Sequence, residues 1–278
     1  GDDIGTWARQ RPAIGLERGV RPVPLILHFE DVAGEVDRHA DPADSMGEAG
    51  DGESHGDAVV TEAVEGGSIQ GLAALDFHAV VEFGASLDED LARRDFTINA
   101  IAYDPLDHRL HDPFGGQIDL TRRVVRAVGE AEARVREDRL RALRAIRFAA
   151  RFRFEIEPDT WKAIVGSAPF LTRLSPERVK QELEKTMEQV VAPSTAFARW
   201  RDSGAFASVV PTLSHVSDDT LRAVDALPRP GLAGRPLRKT LRIAALFSEV
   251  GGKEAERALR DLRFSNQDIA NVSALVDR

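Results

Sequence analysis

From about residue 131 to the end of the chain, apolar residues return at the spacing of an α-helix, segment after segment. This pattern constrains the fold more than any other feature of the sequence. Leu140, Leu143, Ile146 and Ala150 make one stripe. A second helix is expected from Asp159 to Val165. Ser175-Pro176 reads as a helix start, with Ser as the cap and Pro in the first turn, and Val179, Leu183 and Met187 follow at a period of four. Shorter helices are expected over residues 195–209, 218–226, 237–250, 253–262 and 266–276, with loops at Pro211 and around Pro228–Pro236. No fixed internal period is present.

The residues before this stretch behave differently. Ala79–Phe83, Thr97–Tyr103 and Val124–Val128 have the character of short strands. Ser86 and Glu89 form the ends of a capping box, and Pro105 and Gly115-Gly116 mark loops. Residues 1–77 hold one apolar run, Val23–Phe29, then a Gly/Asp/Glu/Ala-rich stretch over 33–68 without helix or strand period; they read as a poorly packed arm. The expected organisation is α+β: an atypical segment 1–77, part of a sheet-bearing head at 78–130, and an all-helical neck and body at 131–278.

With 278 residues the chain is long enough for two domains. It has no cysteine, which excludes disulfides and thiolate metal sites. No apolar run approaches the length of a membrane span, and no signal-peptide pattern opens the chain, so no membrane partner and a cytoplasmic location are expected. The net charge of −9 hides a split. Residues 1–90 carry 20 Asp/Glu against five Arg, while residues 91–278 carry 26 Asp/Glu against 32 Lys/Arg. A polyanion would therefore bind the second part.

The residues with chemical promise cluster at 93–153. Asp138 and Arg141 are three apart and on a helix would share a face. A carboxylate accepts hydrogen bonds and a guanidinium donates them. Side by side they match cytosine and adenine, which present an amino donor beside a ring-nitrogen acceptor; uracil and guanine present the reverse. Arg141, Arg144, Arg147 and Arg151 recur every three or four residues. Such a row is ordinarily a solvated face, but with few acids after Asp138 it suits a triphosphate or an RNA backbone. Arg93-Arg94-Asp95 is either a surface ion pair or a nucleotide contact. Asp112-Pro-Phe-Gly-Gly-Gln-Ile-Asp119 is either a tight glycine turn or a hinge at Asp112, Gly115, Gly116 and Asp119. The seven histidines lack metal-ligand spacing, and no Walker, GxSxG or HExxH motif is present.

Taken in order, RRDFTINA at 93–100, DPFGGQIDL at 112–120, EDRLRALRAIRFAARF at 137–152, LSPERVKQEL at 174–183 and LRFSN at 262–266 resemble the class II CCA-adding tRNA nucleotidyltransferase and bacterial poly(A) polymerase family. The resemblance runs from about His78 onward. It implies a nucleotidyltransferase head with a helical neck and body, and addition of C and A to the tRNA 3′ end from CTP and ATP with Mg2+. It also implies nucleotide contacts from Arg94, Asp138, Arg141, Arg144 and Arg147, support from Arg93, Asp95, Asn99 and Glu137, and a hinge at 112–120.

The chain departs from the family before RRDFTINA, where a GGxVRD segment and a metal-binding Asp-x-Asp are expected. Gly67-Ser68 is followed only by Asp76, Asp51-Gly-Glu53 lies in a patternless region, and Asp88-Glu-Asp90 falls in the helix before RRDF. No catalytic or metal-ligating residue is therefore assigned. A shifted reading frame in GC-rich coding would give such a 1–77 composition. Ser248-Glu249 stands where phosphohydrolase-bearing relatives carry His-Asp. The alternatives are a non-catalytic RNA- or nucleotide-binding remnant and a poly(A) polymerase. The oligomeric state is not legible.

Overall fold

The computed structural model describes residues 25–27, 86–104, 109–227 and 236–278, with the side chains of 25–27 and 236–238 left aside. The chain divides into two compact units at residues 122/123.

In the first unit, strand β1 (Leu25–Leu27), helix α1 (Leu87–Ala92), strands β2 (Ile101–Asp104) and β3 (Arg109–His111) and helix α2 (Gly116–Arg122) follow one another. β2 is the middle strand, antiparallel to both neighbours, with Ile26 opposite Ala102 and Tyr103 opposite Leu110. Leu25–Leu27, from the apolar run of the otherwise patternless segment, thus pair with β2 in the sheet. The Ser86/Glu89 capping box is present: Ser86 Oγ accepts from Glu89 N–H and Glu89 Oε2 accepts from Ser86 N–H. The strand expected over 97–103 is shorter than its pattern. Thr97–Asn99 form a 3-10 turn, because Asp95 Oδ1 accepts from both Phe96 N–H and Asn99 Nδ2, each at 2.9 Å, and curls the backbone before Ile101. The strand expected at 79–83 lies outside the described residues.

The second unit opens with strand β4 (Val124–Val125), helices α3 (Ala131–Glu137) and α4 (Leu140–Phe152), and strand β5 (Glu155–Ile156), which pairs parallel with β4. Helices α5 (Pro158–Ser167), α6 (Pro176–Gln189), α7 (Pro193–Asp202), α8 (Ala205–Val209), α9 (Asp218–Asp225), α10 (Pro236–Leu246), α11 (Gly252–Asp261) and α12 (Asn266–Val276) complete it, with 3-10 turns at Ala168–Arg173 and Pro211–Leu213. Helix expected over 195–209 is split at Ser203-Gly204, where Gly204 has φ +82°. Ser175 stands at the cap position of α6, but its side chain makes no cap hydrogen bond; Pro176 alone marks the start.

Packing follows the stripes. Leu143, Ile146 and Phe148 of α4 and Val179, Leu183 and Met187 of α6 are buried. Phe197, Trp200 and Phe206 form an aromatic cluster with ring centroids 5.3–5.9 Å apart. Arg242, almost fully buried, donates to the carbonyls of Met187, Val190, Val191 and Leu227. It thereby satisfies acceptors at and beyond the C-terminal end of α6 that have no intrahelical partner. Among the described residues, no helix is long and apolar enough to cross a membrane.

Candidate nucleotide and RNA site

The first unit holds the RRDFTINA segment. Arg93 ends α1, and Arg94 is ion-paired to Asp90 at 2.7 Å. Asp95 is the centre of the turn just described. Asn99 is buried; its Nδ2 donates to Asp95 Oδ1, and its own Oδ1 has no hydrogen-bond partner, a costly arrangement. The neighbouring loop has a packing explanation. A Cβ on Gly116 would meet the Thr97 carbonyl oxygen at 2.2 Å, and Gly115 has φ +72°. Asp112 accepts from the N–H groups of Gly116 and Gln117 at the start of α2, and buried Asp119 accepts from Thr97 Oγ1 at 2.7 Å.

The acids of Asp88-Glu-Asp90 are engaged elsewhere: Asp88 with His111, Glu89 in the capping box, Asp90 with Arg94. Among the described residues no group of three His, Asp or Glu side chains is arranged to hold a metal ion. Gly67-Ser68, Asp76 and Asp51-Gly-Glu53 lie outside the described residues, as do five of the histidines; His215 is described and exposed.

The second unit carries the base-reading candidates, and here one expectation is corrected. Asp138 is not on a helix. It is an extended residue (φ −140°, ψ 104°) between α3 and α4. Its Oδ1 accepts from Leu140 N–H at 3.1 Å, so the side chain opens α4 in the manner of a cap. Its Oδ2 accepts from Arg178 of α6 at 2.7 Å. Arg141, in the first turn of α4, donates through Nη1 to the Arg134 carbonyl and to Glu137, at 2.9 and 2.8 Å. Glu137 therefore steadies Arg141, and Arg178 steadies Asp138. Burial opposes ionisation of Asp138. The hydrogen bonds from Arg178 and Leu140, with the charges of Arg178 and Arg141, outweigh it and hold the carboxyl below its usual range.

The row of arginines is also corrected. Arg147 is fully buried, its Nε on Glu182 at 2.7 Å and its Nη1 on Gln189 at 2.9 Å. It belongs to the packing between α4 and α6 instead of an open phosphate-binding face. The acid that balances it lies 35 residues on, so no local pattern announces it. Arg151 also reaches Gln189, and half-buried Arg144 lies over the Phe148 ring. Arg178 is the residue at this site to which the sequence alone gives no role, although it sits inside LSPERVKQEL.

A family model described as the poly(A) polymerase head domain matches residues 71–126. Another, described as a probable RNA and SrmB-binding site of polymerase A, matches residues 153–216. The CCA-adding enzyme of Geobacillus thermodenitrificans is 41% identical over 197 residues, 70% of this chain and 46% of that protein. The crystal structure of the Bacillus stearothermophilus CCA-adding enzyme in complex with CTP aligns with a TM-score of 0.58 at 40% identity, over 70% of this chain and 47% of that one. The Thermotoga maritima CCA-adding enzyme complexed with tRNA aligns with a TM-score of 0.54 at 26% identity, over 68% and 47%. The chain spans about half the length of the relatives it matches.

Proposed function

We propose, starting from the fact that this chain belongs to the family of class II CCA-adding tRNA nucleotidyltransferases and bacterial poly(A) polymerases, that it takes part in adding C and A nucleotides to the tRNA 3′ end from CTP and ATP. The observation that supports this best is the similarity to CCA-adding enzymes across 70% of the chain. The same reading puts the protein in the cytoplasm.

The selecting pair is Asp138 and Arg141. Asp138 is ionised and held by two donors, so it offers acceptor lone pairs to the amino group of cytosine or adenine. Arg141 offers the donor for the ring nitrogen. Uracil and guanine would set carbonyl oxygen against carboxylate and N–H against guanidinium. The half-buried Arg144 is the triphosphate contact on α4, and Arg147, sealed against Glu182, has no part in it. Within the first unit, Arg94, supported by Arg93, Asp95 and Asn99, is the proposed nucleotide contact. The loop at Asp112, Gly115, Gly116 and Asp119 is the segment that flexes between the C and A steps.

The family's transfer of a nucleotide to a 3′ hydroxyl runs on divalent metal, and Mg2+ is the ion proposed. The described residues do not fit such a site, so no step here is assigned through it.

The experiment is incorporation of labelled CMP and AMP into tRNA lacking its CCA end, read by product length. Addition of C, C and A is expected. A long A tract would make the protein a poly(A) polymerase. Binding of CTP without any incorporation would overturn the proposal in favour of a non-catalytic remnant.

A further inference from the structure

A cleft of about 820 Å³ opens between α3 and α5 in the second unit, on residues not used by Asp138 and Arg141. Most of its cations already have acids beside them. Arg136 pairs with Glu132, Lys162 with Asp159 at 2.8 Å, and Arg126 with Glu157 at 3.5 Å. Arg139 is different. Its Nη1 donates to Ser167 Oγ at 3.0 Å, and its guanidinium carbon lies 4.6 Å from the centroid of the Phe170 ring. Arg173 lies 5.3 Å from the same centroid. Neither arginine has a carboxylate within ion-pair distance among the described residues. Phe170, a large apolar side chain, is 42% exposed.

An exposed aromatic ring flanked by two guanidiniums without acids is a surface for a nucleobase and a phosphate together. Bases stack on aromatic and guanidinium planes, and arginines without acids meet the backbone. We infer that the rim formed by Arg139, Phe170 and Arg173, with the cleft below it, receives a strand of RNA, a base lying on the ring and a neighbouring phosphate meeting Arg173. This rests on the reading that the protein acts on RNA. The charge balance favours a strand over a free nucleoside triphosphate. Inside the cleft the cations are matched by acids, which repel a compact polyanion, whereas a strand brings one phosphate at a time to the rim. Residues 153–216, which include Phe170 and Arg173, are also those matching the model of a probable RNA-binding site.

The test is fluorescence anisotropy of labelled tRNA lacking its 3′ CCA against the full chain, with CTP affinity measured in parallel. Phe170→Ala is expected to weaken RNA binding about 5- to 150-fold, the range for losing one stacked base. Phe170→Leu, which keeps an apolar side chain in place, is expected to do nearly the same. Arg173→Gln is expected to lower the slope of log affinity against log salt by about 0.7–0.9, the loss of one phosphate contact. CTP affinity stays at the wild-type level in all three. Wild-type RNA binding and salt slope in the variants would overturn the inference. Loss of CTP affinity with RNA binding intact would overturn it too, making the cleft a mononucleotide site. If the unmodified chain itself fails to bind RNA, the broader reading falls with it, an outcome distinct from the other two.

Discussion

Two arginine–carboxylate pairs tie the strip around α4 to α6, and they stand at opposite extremes of exposure. Arg178 and Glu182 are one turn apart on α6. Arg178 reaches Asp138 at 2.7 Å, with side chains 44% and 33% exposed. Glu182 reaches Arg147, also at 2.7 Å, with exposures of 2% and 0%. The chemistry and the distance are the same, and burial separates the roles. A sealed pair holds two helices in register, and neither member can be lost without stranding the other. A pair open to solvent adds little stability, but it fixes where a carboxylate points and keeps it charged. The base selection proposed for Asp138 and Arg141 would need the second kind of pair.

The largest effect belongs to the sealed pair. Arg147→Ala leaves Glu182 buried with its hydrogen-bonded partner gone and Lys185 4.0 Å away, and we expect a loss of about 3–5 kcal/mol in urea or thermal unfolding. Replacing both members, Arg147→Met with Glu182→Leu, is expected to recover most of that loss, because hydrophobic substitutes of similar volume remove the desolvation of both charges. A variant Arg147→Ala that melts like the wild type yet binds CTP poorly would break the comparison and return Arg147 to the ligand.

The sequence showed where the helices are better than where their charges go. Starts at residues 158, 176, 218, 252 and 266 follow from apolar period and cap or breaker chemistry, which are local. The break at Asp138 was hidden because Glu137-Asp138-Arg139 contains neither Gly nor Pro. An acid whose side chain accepts from the N–H two residues on is enough to end one helix and begin the next. Arg147 looked like its neighbours because its partners are 35 and 42 residues away. For the same reason Arg178 had no visible role. The Phe170 rim gave no signal either, since 3-10 spacing brings Phe170 and Arg173 onto one side of the turn without any apolar period. In the first unit, RRDFTINA was legible as a motif, but its fold was not, because the hydrogen bonds of Asp95 override strand-like alternation.

The open pair is probed by Asp138→Ala. Its stability cost is expected at no more than about 1 kcal/mol, while discrimination of CTP and ATP against UTP and GTP falls about 10-fold or more, as for loss of a hydrogen bond built to read a base. The comparison is sharpened if the melting curve barely moves while selectivity is lost. It is broken if the protein unfolds with selectivity intact.

Arg178→Ala should act more weakly and through Asp138. With the Arg178 hydrogen bond and charge gone, burial is opposed only by the Leu140 N–H and Arg141. The carboxyl then titrates closer to, or above, its ordinary value, which carbon-detected NMR of Asp138 would follow; an unmoved titration would show that Arg178 does not set the charge.

The smallest effect is the acid dependence of stability. A carboxyl held below its unfolded value contributes stability that is complete above that value, near pH 4 for aspartate. The contribution disappears as pH falls through the folded value. Melting temperatures of the wild type and of Asp138→Asn should therefore differ by a few degrees at most at pH 7, the wild type being higher, and draw together as pH falls below about 4. A gap that widens on acidification would mean that Asp138 is stabilised as the neutral acid. A neutral Asp138 would donate a proton where the pairing edge of cytosine or adenine also donates, and the contrast between the open and sealed pairs would lose its functional side.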